Sequence, residues 1–203
     1  MLNSTRGATS ESRIFSVTRI SCFKRLFAAR RRITLTFACL FLIDPIIAQQ
    51  KLGQLLVYGD GFRFSVKEPA GWSGDTENAV KFNANVVLHE AGRPQNSPTG
   101  LIRVSLNEKT DENIAEDMAA DMHEYVEQNP KVRFKDLAIK HPSYKSLAKA
   151  FYESGEFYEY VAYVNPGPKS KFLFSISMNT GKAEASEKEL TAFKSTLESL
   201  TLY

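Results

Sequence analysis

The clearest candidate for metal chemistry in this chain is a histidine–glutamate pair in a segment with helical periodicity. His123 and Glu127 stand four residues apart. Zinc proteases place two histidines at this spacing, so that both rings bind one metal ion from the same helix face. Here the second position holds a carboxylate, and spacing identifies no third ligand. Because both side chains point away from the apolar positions Met118 and Met122, we expect a solvated pair and no metal site.

A second pattern, Ser146 with Lys149, matches the Ser-x-x-Lys spacing of penicillin-binding enzymes. The partner motifs of those enzymes are absent from the sequence, and in a strand these two side chains would point to opposite faces. No Ser-His-Asp set can be assembled from spacing, and no glycine-rich phosphate loop precedes a helix. We therefore expect no catalysis and no cofactor. The alternative is a metal-dependent envelope hydrolase that uses His123 or His89.

A contact surface is the alternative that several residues favour together. The polar segment 91–100 contains two prolines and two glycines, which is typical of a long loop; it follows His89 and contains Arg93. Tyr158 and Tyr160 lie further along the chain, on one face of an aromatic-rich strand. We predict that these four side chains contribute to a surface for a protein or small-ligand partner. Glutamates lie among the aromatic residues, which argues against a nucleic-acid partner.

The elements that must position these residues can be read from hydrophobic periodicity. Alternating apolar residues predict short strands, and turn residues separate the last four of them as in an antiparallel meander. Residues 49–61 are predicted to be a lead-in that ends in a tight turn at Gly59 to Gly61. The predicted strands cover 62–67, 79–82, 85–90, 102–106, 132–139, 147–153, 157–164 and 171–178.

Two amphipathic helices interrupt and follow these strands. The first is predicted from Asp111 to the stop at Asn129 and Pro130. The second begins at a capping box formed by Ser186 and Glu189. The first apolar face contains Ile114, Met118, Met122, Tyr125 and Val126, and the second contains Leu190, Phe193, Leu197 and Leu200. We predict an α+β fold in which one antiparallel sheet of about six strands packs with the two helices.

The charge of the chain is unevenly distributed. Residues 1–48 contain eight basic and two acidic side chains, whereas the remainder contains 18 basic and 21 acidic ones. Both cysteines also lie in residues 1–48. The composition excludes collagen-like, mucin-like and largely disordered proteins, and we predict one domain over 49–203. The net charge of +3 thus belongs to the leader and does not indicate an anionic partner.

The leader has the three parts of a secretory signal peptide. Arg30 to Arg32 precede the apolar run 33–43, and Ala48 supplies a small residue before Gln49. We predict cleavage between Ala48 and Gln49 and export to the periplasm or the cell exterior. The membrane is then a partner only transiently, through the signal peptide.

Other fates of the leader remain open. Residues 33–47 could be retained as a membrane anchor, although Asp44 and Pro45 interrupt the apolar run. Cys39 could be lipidated. The first 25 residues are rich in Ser, Thr and Arg, as in organelle transit peptides, which leaves a thylakoid-lumen address possible. Translation could also start near Leu26.

One sequence pattern resembles a known family. The segment Gly61 to Val66 runs into Glu68-Pro69-Ala70-Gly71-Trp72, and an aromatic strand that ends in Pro-x-Gly-Trp is similar to the opening of PsbP-like and DcrB-like exported proteins. The aromatic hairpin from Phe151 to Val164, the strand with Ser175 to Ser177, and the closing helix occur in the same order as in that family.

This resemblance implies an α/β/α sandwich and a non-enzymatic role. Plant and cyanobacterial members of that family associate with photosystem II in the thylakoid lumen. Many bacterial members are exported and have no assigned biochemical activity. The resemblance supplies no catalytic residue. We therefore predict an exported, non-catalytic accessory or binding protein of the cell envelope; a structural envelope subunit is a further alternative.

Overall fold

The computed structural model describes residues 53–93, 99–109 and 113–203. The predicted leader, with its cleavage site at Ala48 and Gln49, lies outside these residues. The described strands are β1 (Gln54–Gly59), β2 (Phe62–Lys67), β3 (Trp72–Asp75), β4 (Val86–Glu90), β5 (Leu101–Glu108), β6 (Arg133–Asp136), β7 (Lys145–Glu153), β8 (Phe157–Asn165), β9 (Phe172–Gly181) and β10 (Thr201–Leu202). The helices are α1 (Ile114–Gln128), α2 (Glu187–Ser199) and a short 3₁₀ helix, Ala79–Phe82.

Seven strands form the large sheet, in the order β3-β4-β5-β9-β8-β7-β6. Every neighbouring pair is antiparallel. The predicted α+β class with an antiparallel sheet is confirmed, and so is the meander, since β6, β7, β8 and β9 pair in chain order. On β9, Ile176 pairs with Val104 of β5 on one side and with Ala162 of β8 on the other.

A separate three-stranded sheet, ordered β1-β2-β10, corrects the prediction of a single sheet. The expected lead-in is itself strand β1, which forms a tight hairpin with β2. Gly59 pairs with Phe62, which leaves only Asp60 and Gly61 in the turn. Gly61 has φ +73°, a left-handed conformation that glycine adopts without strain. The Asp-Gly sequence is a strong hairpin signal, and it explains why the residues before it form a strand.

The two faces of the large sheet are covered differently. One face packs against α2 and the three-stranded sheet; Phe174 of β9 contacts Phe64 of β2 edge-on, with ring centres 5.3 Å apart. The opposite face packs against α1, where Met118 joins the buried Phe151 and Val161. The core therefore has one layer on each side of the sheet, as expected for amphipathic helices that each bury one stripe.

Local side-chain bonds explain another wrong prediction, since residues 79–82 form a 3₁₀ helix instead of a strand. The side chain of Asp75 accepts hydrogen bonds from the backbone and side-chain nitrogens of Asn78, at 2.9 and 2.8 Å. Asn83 then ends the helix with φ 52°. Such side-chain-to-backbone bonds compete with strand pairing.

Smaller corrections concern the ends of other elements. The predicted strand 132–139 is shorter, Arg133–Asp136, and β3 and β10 were not predicted. Both helix signals are confirmed: the capping box of Ser186 and Glu189 forms, and Asn129 caps α1. Val126, however, is exposed. Among the residues described, no helix has the length and apolar character needed to cross a bilayer.

We expect Phe174→Ala to lower the free energy of unfolding by about 3–5 kcal/mol, because it leaves a cavity between the two sheets. Urea denaturation followed by circular dichroism measures this. Val80→Ala, at an exposed side chain, is the control and should change stability by less than about 0.5 kcal/mol. Equal effects of the two substitutions would contradict the role of Phe174.

Candidate functional site

The structure brings Arg93 and Tyr158 to the same end of the large sheet. Tyr158 pairs with Gly181 at the end of β9. A Cβ atom on Gly181 would lie 3.1 Å from Cγ2 of Thr99, and one on Gly100 would lie 1.8 Å from Nη1 of Arg93. The side chains of Thr99 and Arg93 thus pack against these glycines. We call the region formed by Arg93, Thr99 and Tyr158 the loop end.

Ion pairs join the loop end to the first turns of α2. Arg93 and Glu189 approach to 4.0 Å, and Lys188 pairs with Glu90 at the end of β4. The hydrogen bond and the charge of Lys188 lower the pKa of Glu90. These pairs are at least partly exposed, so they add little to stability.

Two of the four predicted surface residues are buried. Tyr160 is 1% exposed, and its hydroxyl accepts a hydrogen bond from the backbone nitrogen of Ala185 at 2.8 Å. His89 is 8% exposed. The predictions that Tyr160 and His89 are available to a partner are therefore wrong. Helix α2 lies in the layer that covers the Tyr160 face of the hairpin, whereas Tyr158 is partly exposed and stacks on Tyr152, with ring centres 5.4 Å apart.

The residues considered for catalysis are not assembled. The Nε2 of His123 lies 3.1 Å from Oε1 of Glu127, and both side chains are largely exposed, which confirms the solvated pair. Ser146 accepts a hydrogen bond from the backbone nitrogen of His141, while Lys149 pairs with Asp136. Within the described ranges, no three His, Cys, Asp or Glu side chains cluster as metal ligands.

A polar cleft of about 200 Å³, which the sequence pattern did not predict, lies on the α1 face of the large sheet. Alternate residues of β5 and β9 form its floor, with Arg103 the only charged group among the residues that line it. That guanidinium donates to Glu159 at 2.7 Å, and Ser105 donates to the backbone oxygen of Asn83 at 3.0 Å. The arrangement can hydrogen-bond a small polar molecule, and the described residues that line it include no His, Asp or Glu that could act as a base towards a serine. The cleft is lined by Phe82, Asn83, Arg103, Ser105, Ser175 and Ser177.

Beside the cleft, two tyrosine–carboxylate pairs connect α1 and β8 in opposite directions. Tyr125 of α1 donates to Glu159 of β8, and Tyr163 of β8 donates to Asp121 of α1 at 2.7 Å. Burial and the neighbouring carboxylates raise the pKa of both tyrosines, so both keep the protons that they donate. Because each donor lies on the element that holds the other acceptor, the pairs fix the position of α1 on the sheet.

The half-buried carboxyl group in this arrangement, Asp121, has a raised pKa. Burial raises the pKa of Asp121, and the charges of Glu124, Glu159 and Asp117 add to that effect. The hydrogen bond from Tyr163 acts in the opposite direction without cancelling it. The ionised form of Asp121 is thus less favourable in the folded protein than in the unfolded chain.

A second buried titratable group, His141, connects the turn before β7 to the end of α2. Its Nδ1 accepts hydrogen bonds from the backbone nitrogens of Ser143 and Tyr144, at 3.1 and 2.8 Å. Its Nε2 must therefore carry the proton, which it donates to the backbone oxygen of Leu200 at 2.9 Å. Burial lowers the pKa of His141, although the nearby Glu198 acts in the opposite direction.

Comparison with known proteins finds likenesses among solved structures. No protein-family model matches the chain, and no curated protein matches it. The solution structure of cyanobacterial PsbP (CyanoP) from Synechocystis sp. PCC 6803 aligns at 12% identity with a TM-score of 0.44. The alignment covers 74% of this chain and 93% of that one. A likeness at this level carries no conclusion about function.

Asp121→Asn tests the abnormal carboxyl group. Since the pKa of Asp121 is raised in the folded state, the wild-type protein loses stability as the pH rises above the ordinary aspartate value of about 3.9. Asparagine does not ionise, so the variant should not lose this stability. As the pH rises from about 4 to about 7, the free energy of unfolding of the variant should therefore increase relative to that of wild type, as measured by urea denaturation.

Glu127→Gln, an exposed position on the same helix, controls for the removal of one negative charge. A difference between Asp121→Asn and wild type that stays constant over this pH range would contradict the role of Asp121.

His141→Asn tests the buried histidine, with the opposite sign. Because the pKa of His141 is lowered in the folded state, its contribution to stability is present above about pH 6.5 and is lost as the pH falls through the folded value. The variant should lose less stability than wild type on acidification from neutral pH. Thermal unfolding at a series of pH values measures this, with the exposed His123→Asn as the control.

Proposed function

We propose that this chain is an exported, non-catalytic accessory or binding protein of the cell envelope, with a PsbP-like domain. The leader composition supports export, and the sequence resemblance supports the family. The partner is a protein or a small ligand that contacts the loop end. The observation that carries this proposal is that Arg93 and Tyr158, far apart in sequence, lie at one end of the large sheet.

The chemistry of the loop end suits recognition. Tyrosine and arginine are the side chains most often found at energetic centres of protein interfaces, since each offers a large contact area together with hydrogen bonding. Arg93 follows β4, and Thr99 precedes β5, so both lie within the polar loop predicted at 91–100. The stacked pair of Tyr152 and Tyr158 lies at the neighbouring hairpin end. Rigid strand ends thus position each of these groups.

The competing functions have less support from the described residues. A metal-dependent hydrolase would need ligands beside His123 or His89, and the first of these is solvated while the second is buried. Metal analysis of protein purified without added zinc discriminates this class. A structural envelope subunit would instead form a constitutive oligomer, which light scattering detects.

The contact surface is tested by substituting Arg93 and Tyr158 separately with alanine. In quantitative cross-linking in the native envelope, we expect each substitution to reduce the amount of partner recovered by about tenfold. Each removes a side chain of a type that often dominates binding energy at protein interfaces. Lys169→Ala is the matched control, since Lys169 is exposed near the opposite end of β8 and β9. Thermal unfolding shows whether each variant is folded. Unchanged recovery with both folded variants would exclude the loop end as the contact surface.

A further inference from the structure

A second surface, distinct from the loop end, lies on the solvent-facing side of the three-stranded sheet. Side chains alternate along a strand, so every second residue of β1, β2 and the segment after α2 lies on this side. The residues there are polar, cationic, aromatic or aliphatic, none is an Asp or Glu, and all but a few, such as the buried Ser65, are exposed. We call the exposed ones the outer face: Gln54, Leu56, Tyr58, Arg63, Lys67 and Tyr203.

Exposed apolar side chains are concentrated on the outer face. In the part of the chain that the structure describes, five large hydrophobic residues are exposed, and Leu56, Tyr58 and Tyr203 are three of them, at 36%, 51% and 59%. Exposed hydrophobic residues that occur singly need no explanation, whereas a contiguous group marks an interaction site. Strand register makes this group contiguous, because Leu56 and Tyr58 face the same way on β1.

Arg63 lies between two tyrosines in a row across the sheet. Tyr58 is its partner on β1, and the backbone nitrogen of Tyr203 bonds to the backbone oxygen of Arg63 at 2.8 Å. The guanidinium carbon lies 4.7 Å from the centre of the Tyr203 ring, a cation–π contact. The hydroxyl groups of Tyr203 and Ser65 are 3.1 Å apart, and Gln54 donates to that same serine at 2.8 Å. Arg63 and Tyr203 are therefore held in place before any partner binds.

Both charged side chains of the outer face, Arg63 and Lys67, are positive. Arg93 and Arg103 both have carboxylates within 4.0 Å, whereas Arg63 and Lys67 have none among the described residues. Two acids flank β2: Asp60 lies in the hairpin turn, and Glu68 accepts a hydrogen bond from the backbone nitrogen of Gly74 at 2.8 Å. Carboxylates of a partner could thus pair with Arg63 and Lys67 without breaking an existing ion pair.

We propose that the outer face is a docking site for an acidic segment of a partner protein, in which carboxylates reach Arg63 and Lys67 and apolar side chains pack on Leu56, Tyr58 and Tyr203. Tyrosine and arginine at the centre supply contact area, and the cations supply charge complementarity. Because contacts within the protein already hold Arg63 and Tyr203, ordering these two side chains costs little entropy on binding. This site is separate from the loop end, so either proposal can fail without the other.

Two other occupants fit the outer face less well. A second copy related by a two-fold axis would bring Arg63 and Lys67 near their own equivalents, and like charges oppose such contact. A nucleic-acid strand needs a row of cations to follow successive phosphates, and the outer face offers two. An acidic peptide needs one or two charge contacts and several apolar ones, which is the composition observed.

The test uses a synthetic peptide of alternating Glu and Leu and a matched peptide in which Gln replaces Glu. In titrations of the full chain followed by amide chemical shifts, the acidic peptide should shift resonances of β1 and β2 and bind about tenfold more tightly than the Gln peptide. Its affinity should fall as salt is raised. Arg63→Gln, which keeps much of the side-chain stem, should weaken binding by about tenfold, and Tyr58→Ser should weaken it comparably.

Lys169→Gln, which removes an exposed cation elsewhere, should leave the affinity unchanged. The proposal is overturned by equal affinity for the two peptides, or by no effect of Arg63→Gln in a variant shown to be folded. It is also overturned if an oligo-dT strand binds more tightly than the acidic peptide, or if light scattering shows a dimer that Arg63→Gln dissociates. Loss of partner recovery in Arg93→Ala does not bear on this result.

Discussion

The alternation of side chains along β9 is the constraint on which both faces of the molecule depend. Phe172, Phe174, Ile176 and Met178 all face the layer formed by α2 and the three-stranded sheet, whereas Ser175 and Ser177 face the polar cleft. A shift of one residue in pairing would turn the apolar set towards the cleft and the serines into the core. Because β9 pairs with β5 on one side and β8 on the other, it sets the register of both.

The polar side of the large sheet is stabilised by different means. Apolar contacts hold α1 at Met118, but the helix also depends on Tyr125 and Tyr163, which exchange hydrogen bonds with carboxylates across the gap. Burying carboxylates costs free energy unless donors are provided. The two tyrosine hydroxyls and the guanidinium of Arg103 provide these donors. The hydrogen bonds fix the orientation of α1, in addition to the stabilisation that it gains from buried apolar surface.

Sequence patterns predicted the elements whose signals are local. The capping box at Ser186, the stop at Asn129 and the strict alternation of β9 depend on neighbouring residues, and each was found where expected. The three-stranded sheet was missed because its third strand, β10, has two residues and pairs with β2 from the far end of the described chain. The aromatic density around Tyr160 indicated a surface, but periodicity gives only the face of a strand and does not say what covers it. The cleft was not predicted because Arg103 and Ser177 become neighbours only through the pairing of β5 with β9, which periodicity does not reveal.

The closure of the three-stranded sheet has a consequence for the order in which the chain acquires structure. Ser65 and Tyr203 are 138 positions apart in sequence, and the row that contains Arg63 is complete only when they meet. Contacts of such long range form slowly, because loop-closure entropy opposes them until the intervening segments have folded. The hairpin of β1 and β2 can form early as a local unit, but a two-stranded hairpin is marginally stable in water by itself. The aromatic row is therefore expected to be among the last features to form when the chain folds.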